Sequence, residues 1–176
     1  MGESTAWRRV AATALDYAVI LGYVGILVGV GFTARALGVA PEVSGVSGRV
    51  LAQLAASLLL SVPVTTWLAV QEARRGATVG KRMLAVEVRR TPDGRVGFPR
   101  AAARNALKVL LPWELAHTAI WDLTLRIGSP VVDAVLLGAV YVLAAAYVVG
   151  VFWRSGRTPY DRLAGTTVVR CHSRAR

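Results

Sequence analysis

Three stretches of this chain are almost free of charge, and segments rich in arginine separate them. Residues 10–32 contain one charged side chain, Asp16; residues 50–70 contain none; residues 131–153 contain only Asp133. At about 1.5 Å rise per residue, helices of these lengths cross the roughly 30 Å hydrocarbon core of a bilayer. A fourth stretch, residues 105–125, is apolar but includes Lys108, Glu114, His117 and Asp122. It reads either as a span or as an amphipathic helix lying in the interface. Charge decides between the two. Arg154, Arg157, Arg162, Arg170, Arg174 and Arg176 follow the last span. If residues 105–125 did not cross, these arginines would face outward, against the positive-inside bias. The pattern predicts an all-α membrane protein of one domain, residues 1–176: a four-helix transmembrane bundle with both termini in the cytoplasm. Its spans are expected at 10–32, 50–70, 105–125 and 131–153, with a cytoplasmic loop at 71–104 and a cytoplasmic tail at 154–176.

Within the spans the polar positions are ordered. In the first, Ala11, Ala14, Ala18, Gly22, Gly25 and Gly29 recur every three or four residues. Such a stripe suits close helix packing, and Gly25/Gly29 is a GxxxG pair. Arg9, Thr13, Asp16 and Tyr23 lie on roughly the opposite side. In the second, Gln53, Ser57, Ser61 and Thr65 recur every four residues, a stripe expected to hydrogen-bond between helices at about 1 kcal/mol each. Pro63 removes a backbone bond and clashes with the Leu59 carbonyl, so a kink is expected. Pro112 frees the Lys108 carbonyl in the same way. Trp7 and Trp67 mark interfaces.

The loop carries a different period. Leu84, Val86 and Val88 alternate with Ala85, Glu87 and Arg89, as in a half-buried strand. Thr91-Pro92-Asp93-Gly94 is a turn sequence. Thr166 to Val169 is another β-favouring run. A small cytoplasmic antiparallel sheet of 83–90, 95–98 and 166–170 is predicted.

Composition agrees with a membrane setting: 55% hydrophobic residues, mean hydropathy +0.50 and net charge +11. The basic residues flank apolar spans, which disfavours nucleic acid as the partner and favours anionic lipid. Arg74, Arg75, Lys81, Arg82, Arg100 and Arg104 are expected to face lipid head groups. The single cysteine, Cys171, permits no intrachain disulfide and is expected as a free thiol. The first apolar run is too long for the core of a usual signal peptide and contains Asp16, so a retained helix is expected.

Ionisable groups at membrane depth are functional candidates by default. Asp16, Lys108, Glu114 and His117 are therefore the candidate ion or proton sites. Glu114 and His117 are three residues apart and share a helix face. A structural use, as hydrogen bonds orienting helices, carries equal weight. Glu-x-x-His also suggests a di-iron carboxylate site, but that needs a second such pair and two further glutamates. Gly76-Ala77-Thr78-Val79-Gly80-Lys81 fails as a phosphate loop: three residues separate the glycines and Arg82 replaces the Ser/Thr. No nucleophilic triad stands out. No enzyme, metal or cofactor is expected.

Three segments carry a resemblance. Arg9 to Asp16, Thr78-Val79-Gly80-Lys81-Arg82 followed by Arg100 to Asn105, and Tyr160-Asp161-Arg162-Leu163-Ala164-Gly165-Thr166 resemble motifs of the RDD family, named for one arginine and two aspartates. Val79 stands where the family's central loop usually has Pro, and Tyr160 where it often has His. The resemblance implies a bacterial inner-membrane protein and carries over Arg9, Asp16 and Asp161 as motif residues. Asp161 is expected to form an ion pair or a turn cap. The resemblance also implies a cation/proton exchanger or a transporter of an unidentified ligand. The alternative is a non-catalytic scaffold or accessory subunit binding partner proteins and anionic lipid. Four short helices leave little room for a pathway, so a homo-oligomer or a partner membrane protein is expected.

Overall fold

The structure is a computed structural model that describes residues 3–91, 94–126 and 128–171. Seven helices and two strands follow in order: α1 (Glu3–Ala36), α2 (Gly45–Arg75), α3 (Val79–Met83), β1 (Val86–Arg90), α4 (Phe98–Asn105), α5 (Leu111–Leu125), α6 (Pro130–Phe152), α7 (Pro159–Leu163) and β2 (Thr166–Arg170). A π-helical turn, Ala106–Leu110, joins α4 to α5. α1, α2 and α6 are each long and apolar enough to cross a membrane. Much of α1's apolar surface is open, including Leu21, Ile26, Val30 and Phe32. Lipid, not water, suits a surface of that kind.

The expected third span, 105–125, is not one regular helix. The π turn interrupts it, and regular α5 has 15 residues. The π turn lies just before Pro112, and Leu111 N–H donates back to the Ala106 carbonyl. The ring at Pro112 forbids the ordinary ladder, and the extra residue in the turn absorbs the clash. The Leu107 carbonyl exposed nearby accepts a hydrogen bond from Tyr147 Oη of α6.

Pro63 has a similar consequence in α2. It orphans the Leu59 carbonyl, and Tyr23 Oη of α1 donates to that oxygen at 3.0 Å. The kink thus supplies an interhelical contact. Replacing Tyr23 by Phe removes one such bond. A loss of about 1 kcal/mol is expected, read as a small drop in melting temperature in detergent. Below this contact Ile20, Leu60, Val64, Leu68 and Val109 form the apolar core shared by α1, α2 and the π turn.

Two expectations about faces are corrected. The small-residue stripe of α1 does not pack inward: Ala11, Ala14, Ala18, Gly22, Gly25 and Gly29 are exposed. A methyl group at Gly22, Gly25 or Gly29 would meet nothing within 4 Å. Arg9, Asp16 and Tyr23 point into the protein instead. Ionic groups find donors and acceptors only there, so their satisfaction sets the rotation of the helix. The polar stripe of α2 is buried as expected, yet only Ser57 forms an interhelical bond; Ser61 Oγ and Thr65 Oγ1 have no partner among the described residues.

The sheet has two strands, not three. β1 pairs antiparallel with β2, with Val88 opposite Val168. Residues 95–98 do not form a strand, because α4 starts at Phe98 with Pro99 in its first turn. Val96 is instead buried in a second apolar core with Ala12, Ala69, Val86, Val88, Ala101 and Val168. Met83, placed in the strand by its sequence, ends α3, and the expected turn residues Pro92 and Asp93 lie outside the described residues.

Candidate functional site

The start of α1, the ends of α2 and α6, α3, α4 and α7 converge on one polar layer beside the sheet. Buried charge holds it together. Glu72, near the end of α2, is fully buried and accepts from Lys81 Nζ of α3, from Arg104 Nη1 at 2.6 Å and from Asn105 Nδ2 at 2.9 Å. Arg104 reaches onward, and its Nε donates to Asp161 Oδ1 at 2.8 Å. Its guanidinium also lies over the Tyr160 ring, 5.2 Å from the centroid. Asp161 Oδ2 accepts from Arg9 Nη2 at 2.6 Å. Arg9 Nη1 donates to the Gly156 carbonyl. A single chain of ion pairs therefore runs from α3 through α2, α4 and α7 to α1.

Asp161 does both things expected of it. It is the ion-pair partner of two arginines, and it closes a capping box with Thr158 at the head of α7, where Thr158 Oγ1 donates to its Oδ2 at 2.8 Å. Burial alone would raise its pKa; Arg104 and Arg9 outweigh that and hold the carboxyl well below the usual carboxylate range. In Lys81 burial wins, pushing the ammonium down to about 8 against the opposing pull of Glu72.

Asp16 is bound differently. Its Oδ2 accepts from Thr78 Oγ1 at 2.6 Å and its Oδ1 from Gly80 N–H at 2.8 Å. Thr78 is the N-cap of α3, so the carboxylate sits where short-helix amide groups are unpaired. The approach is so close that a Cβ at Gly80 would lie 2.2 Å from the Ala12 carbonyl oxygen of α1. Only glycine fits between the two backbones. The motif Thr78-Val79-Gly80-Lys81 is thus a clasp for Asp16, with Lys81 turned the other way toward Glu72.

A model of the RDD family matches residues 4–165, from the first turns of α1 to the residue before β2. The chain belongs to the RDD family. Comparison with curated proteins and with solved structures yields no match. The arginine and the two aspartates that gave the resemblance meet in one layer of this RDD protein. Arg9 pairs with Asp161, and Asp16 lies two turns along α1 from Arg9 on the same inward side.

Other expected site residues fall elsewhere. Lys81 and Arg104 do not face lipid: both are buried, where Glu72 and Asp161 compensate their charge. Arg74, Arg75, Arg82 and Arg100 are exposed. Lys108 is buried in the π turn beside the layer. Glu114 and His117 lie further along α5 and do not bond each other. Glu114 Oε2 accepts from Ser57 Oγ at 2.8 Å, and His117 Nε2 accepts from Trp121 Nε1 at 3.0 Å. The His117 ring also stacks on Trp113, with centroids 5.8 Å apart. Glu114 Oε1 and His117 Nδ1 are buried without a partner among the described residues. The four candidate ion sites are therefore two places, not one cluster.

Sequence reasoning missed Glu72 and Asn105 as members of the network. A signal was present: Glu72 is the one acid beside the basic end of α2, and Asn105 follows Arg104 in the second of the three family motifs.

Proposed function

We propose that this RDD protein is a four-span protein of the bacterial inner membrane, with both termini in the cytoplasm, that exchanges protons for a cation or carries an unidentified ligand. In this reading Glu114 and His117 are the proton-handling pair. The supporting observation is that one carboxylate oxygen and one ring nitrogen, a turn apart on α5, are buried with no internal partner. Leaving such groups unpaired costs about 1–3 kcal/mol each, a cost relieved when a proton or cation arrives. Ser57 and Trp121 fix the other atom of each side chain, so the free atoms are pre-positioned. Asp16 has no part in this reading, since both its oxygens already hold donors.

The four-span topology is supported by direction. α2 and α6 both end at the polar layer, so the chain must climb to the far side between them, and α4, the π turn and α5 are the segments that carry it. Cys171 gives a direct check. A membrane-impermeant maleimide should label it in broken cells and not in intact ones. Labelling should be slow near neutral pH, because burial and the neighbouring Glu87 push the thiol pKa up. Labelling of intact cells would place the C-terminal tail outside and end the topology.

The activity is tested by proton-coupled cation flux in proteoliposomes. Glu114→Gln and His117→Ala are each expected to abolish most of the flux, while Arg74→Gln, on the exposed surface, leaves it unchanged. Wild-type flux from both variants would remove the pair from the mechanism.

A scaffold reading has its own support, the open small-residue stripe of α1. A second helix, from another copy or a different membrane protein, could approach Gly22, Gly25 and Gly29 closely. Stoichiometric crosslinking through this stripe, with no flux from the purified chain, favours that role.

A further inference from the structure

A cavity of about 200 Å³ opens between α1 and α6 beside the polar layer. Its lining is unbalanced in charge. Arg9, Lys81, Arg104 and Lys108 all border it, and none of Asp16, Glu72 and Asp161 does. The three carboxylates are spent on the far side of the layer, against Lys81, Arg104, Arg9, Thr78 and Gly80. Within the layer, four buried cations against three buried carboxylates leave one positive charge uncompensated; the fourth buried carboxylate, Asp133, lies in the first turn of α6, at the opposite end of that helix. Lys108 is where it resides: the residue is only 8% exposed, and its ammonium forms no hydrogen bond or ion pair among the described residues. A buried, unpaired ammonium is costly, and the cost falls when an anion supplies the missing partner.

The shape of the lining narrows the anion. Tyr17 and Tyr160 present hydroxyls with no hydrogen-bond partner among the described residues, next to the guanidinium groups. Several donors converging from different sides suit a group with oxygens on all sides. The volume far exceeds the roughly 30 Å³ share of one water. The mouth is apolar and open, formed by Val10, Val148 and Phe152, with Trp7 packed edge-on against Phe152. It faces the surface that lipid would cover.

We propose that this cavity is a binding site for a phosphate-bearing anion, with Lys108 as its direct ligand. The phosphate comes from a lipid head group whose chains leave past Val148 and Phe152, or from a phosphorylated solute entering from the polar end. The site depends on neither the exchange reading nor the scaffold reading.

The test uses the purified full chain in a non-ionic detergent, read by thermal melting and native mass spectrometry. The probes are phosphatidylglycerol, diacylglycerol with the same chains as a phosphate-free control, and inorganic phosphate. Wild type should retain and be stabilised by phosphatidylglycerol but not by diacylglycerol, and Lys108→Met should weaken the effect by about tenfold or more. Lys108→Arg should preserve it. Stabilisation by millimolar inorganic phosphate, lost in Lys108→Met, assigns the site to a soluble phosphate compound instead of lipid. Without probes, Lys108→Met should melt no lower than wild type, because it removes surplus buried charge. If that variant does not fold, Tyr17→Phe at the mouth serves in its place, with a severalfold loss of the probe effect expected. No response of wild type to either phosphate probe, or an equal response in wild type and variants, overturns the proposal.

Discussion

Replacing Asp161 by Asn destabilises the folded protein by about 3–5 kcal/mol, the cost of breaking a buried ion pair from one side. Asp161 is fully buried and answers both Arg9 and Arg104. Asn keeps the shape but removes the charge, leaving two guanidinium groups in a buried layer with one carboxylate, Glu72, near one of them. The expected result is a large fall in melting temperature in detergent and a lower yield of folded protein. The same residue sets an acid limit. Its folded pKa lies below its ordinary value of 3.8, so the unfolded chain takes up the proton more readily. Its contribution is fully present above about pH 4 and is lost as the pH falls through the folded value. Asp161→Asn should remove that part of the acid dependence. A variant as stable as wild type, with an unchanged acid profile, would show that the pair contributes nothing.

Gly80→Ala is the second large effect. Its Cβ would lie 2.2 Å from the Ala12 carbonyl oxygen and 3.0 Å from Asp16 Oδ1. α3 must move off α1, which breaks the Gly80 N–H bond to Asp16 and lengthens the one from Thr78. Overpacking costs about 1–3 kcal/mol and two strained hydrogen bonds to a carboxylate add to it. A loss above about 3 kcal/mol is therefore expected on those grounds. It is measured as a melting shift, with faster proteolysis between α2 and β1 as the local readout. A control at Gly22, whose added methyl meets nothing, should leave stability near wild type.

The apolar helices and the strand pairing of 86–90 with 166–170 were legible in the pattern of residues, because lipid exposure and half-burial impose periods that one sequence displays. The family was legible too, through short motifs with unusual residues. The rotation of α1 was not. A stripe of alanine and glycine and a sparse polar face are both compatible with inward packing, and only the partners on α3 and α7 decide between them. The same limit hid the role of Lys81 and Arg104. A basic residue beside a span reads as lipid-facing unless the acid that pairs with it is known to come from the end of another helix. Residues 95–98 failed for a local reason: the strand signal is four residues long, and its last residue, Phe98, already starts α4 with Pro99 in the first turn. The candidate ion sites were recognised one by one as membrane-depth ionisable groups, but their division into a polar layer and a separate α5 pair depends on helix register.

The bond between Arg9 and Asp161 joins residues 152 positions apart. During synthesis, α1 is made long before its counterion exists. Arg9 must wait for its counterion until α7 has been synthesised. The layer therefore cannot close over an unfinished chain, and a protein truncated before residue 158 leaves Arg9 and Arg104 without the Asp161 counterion.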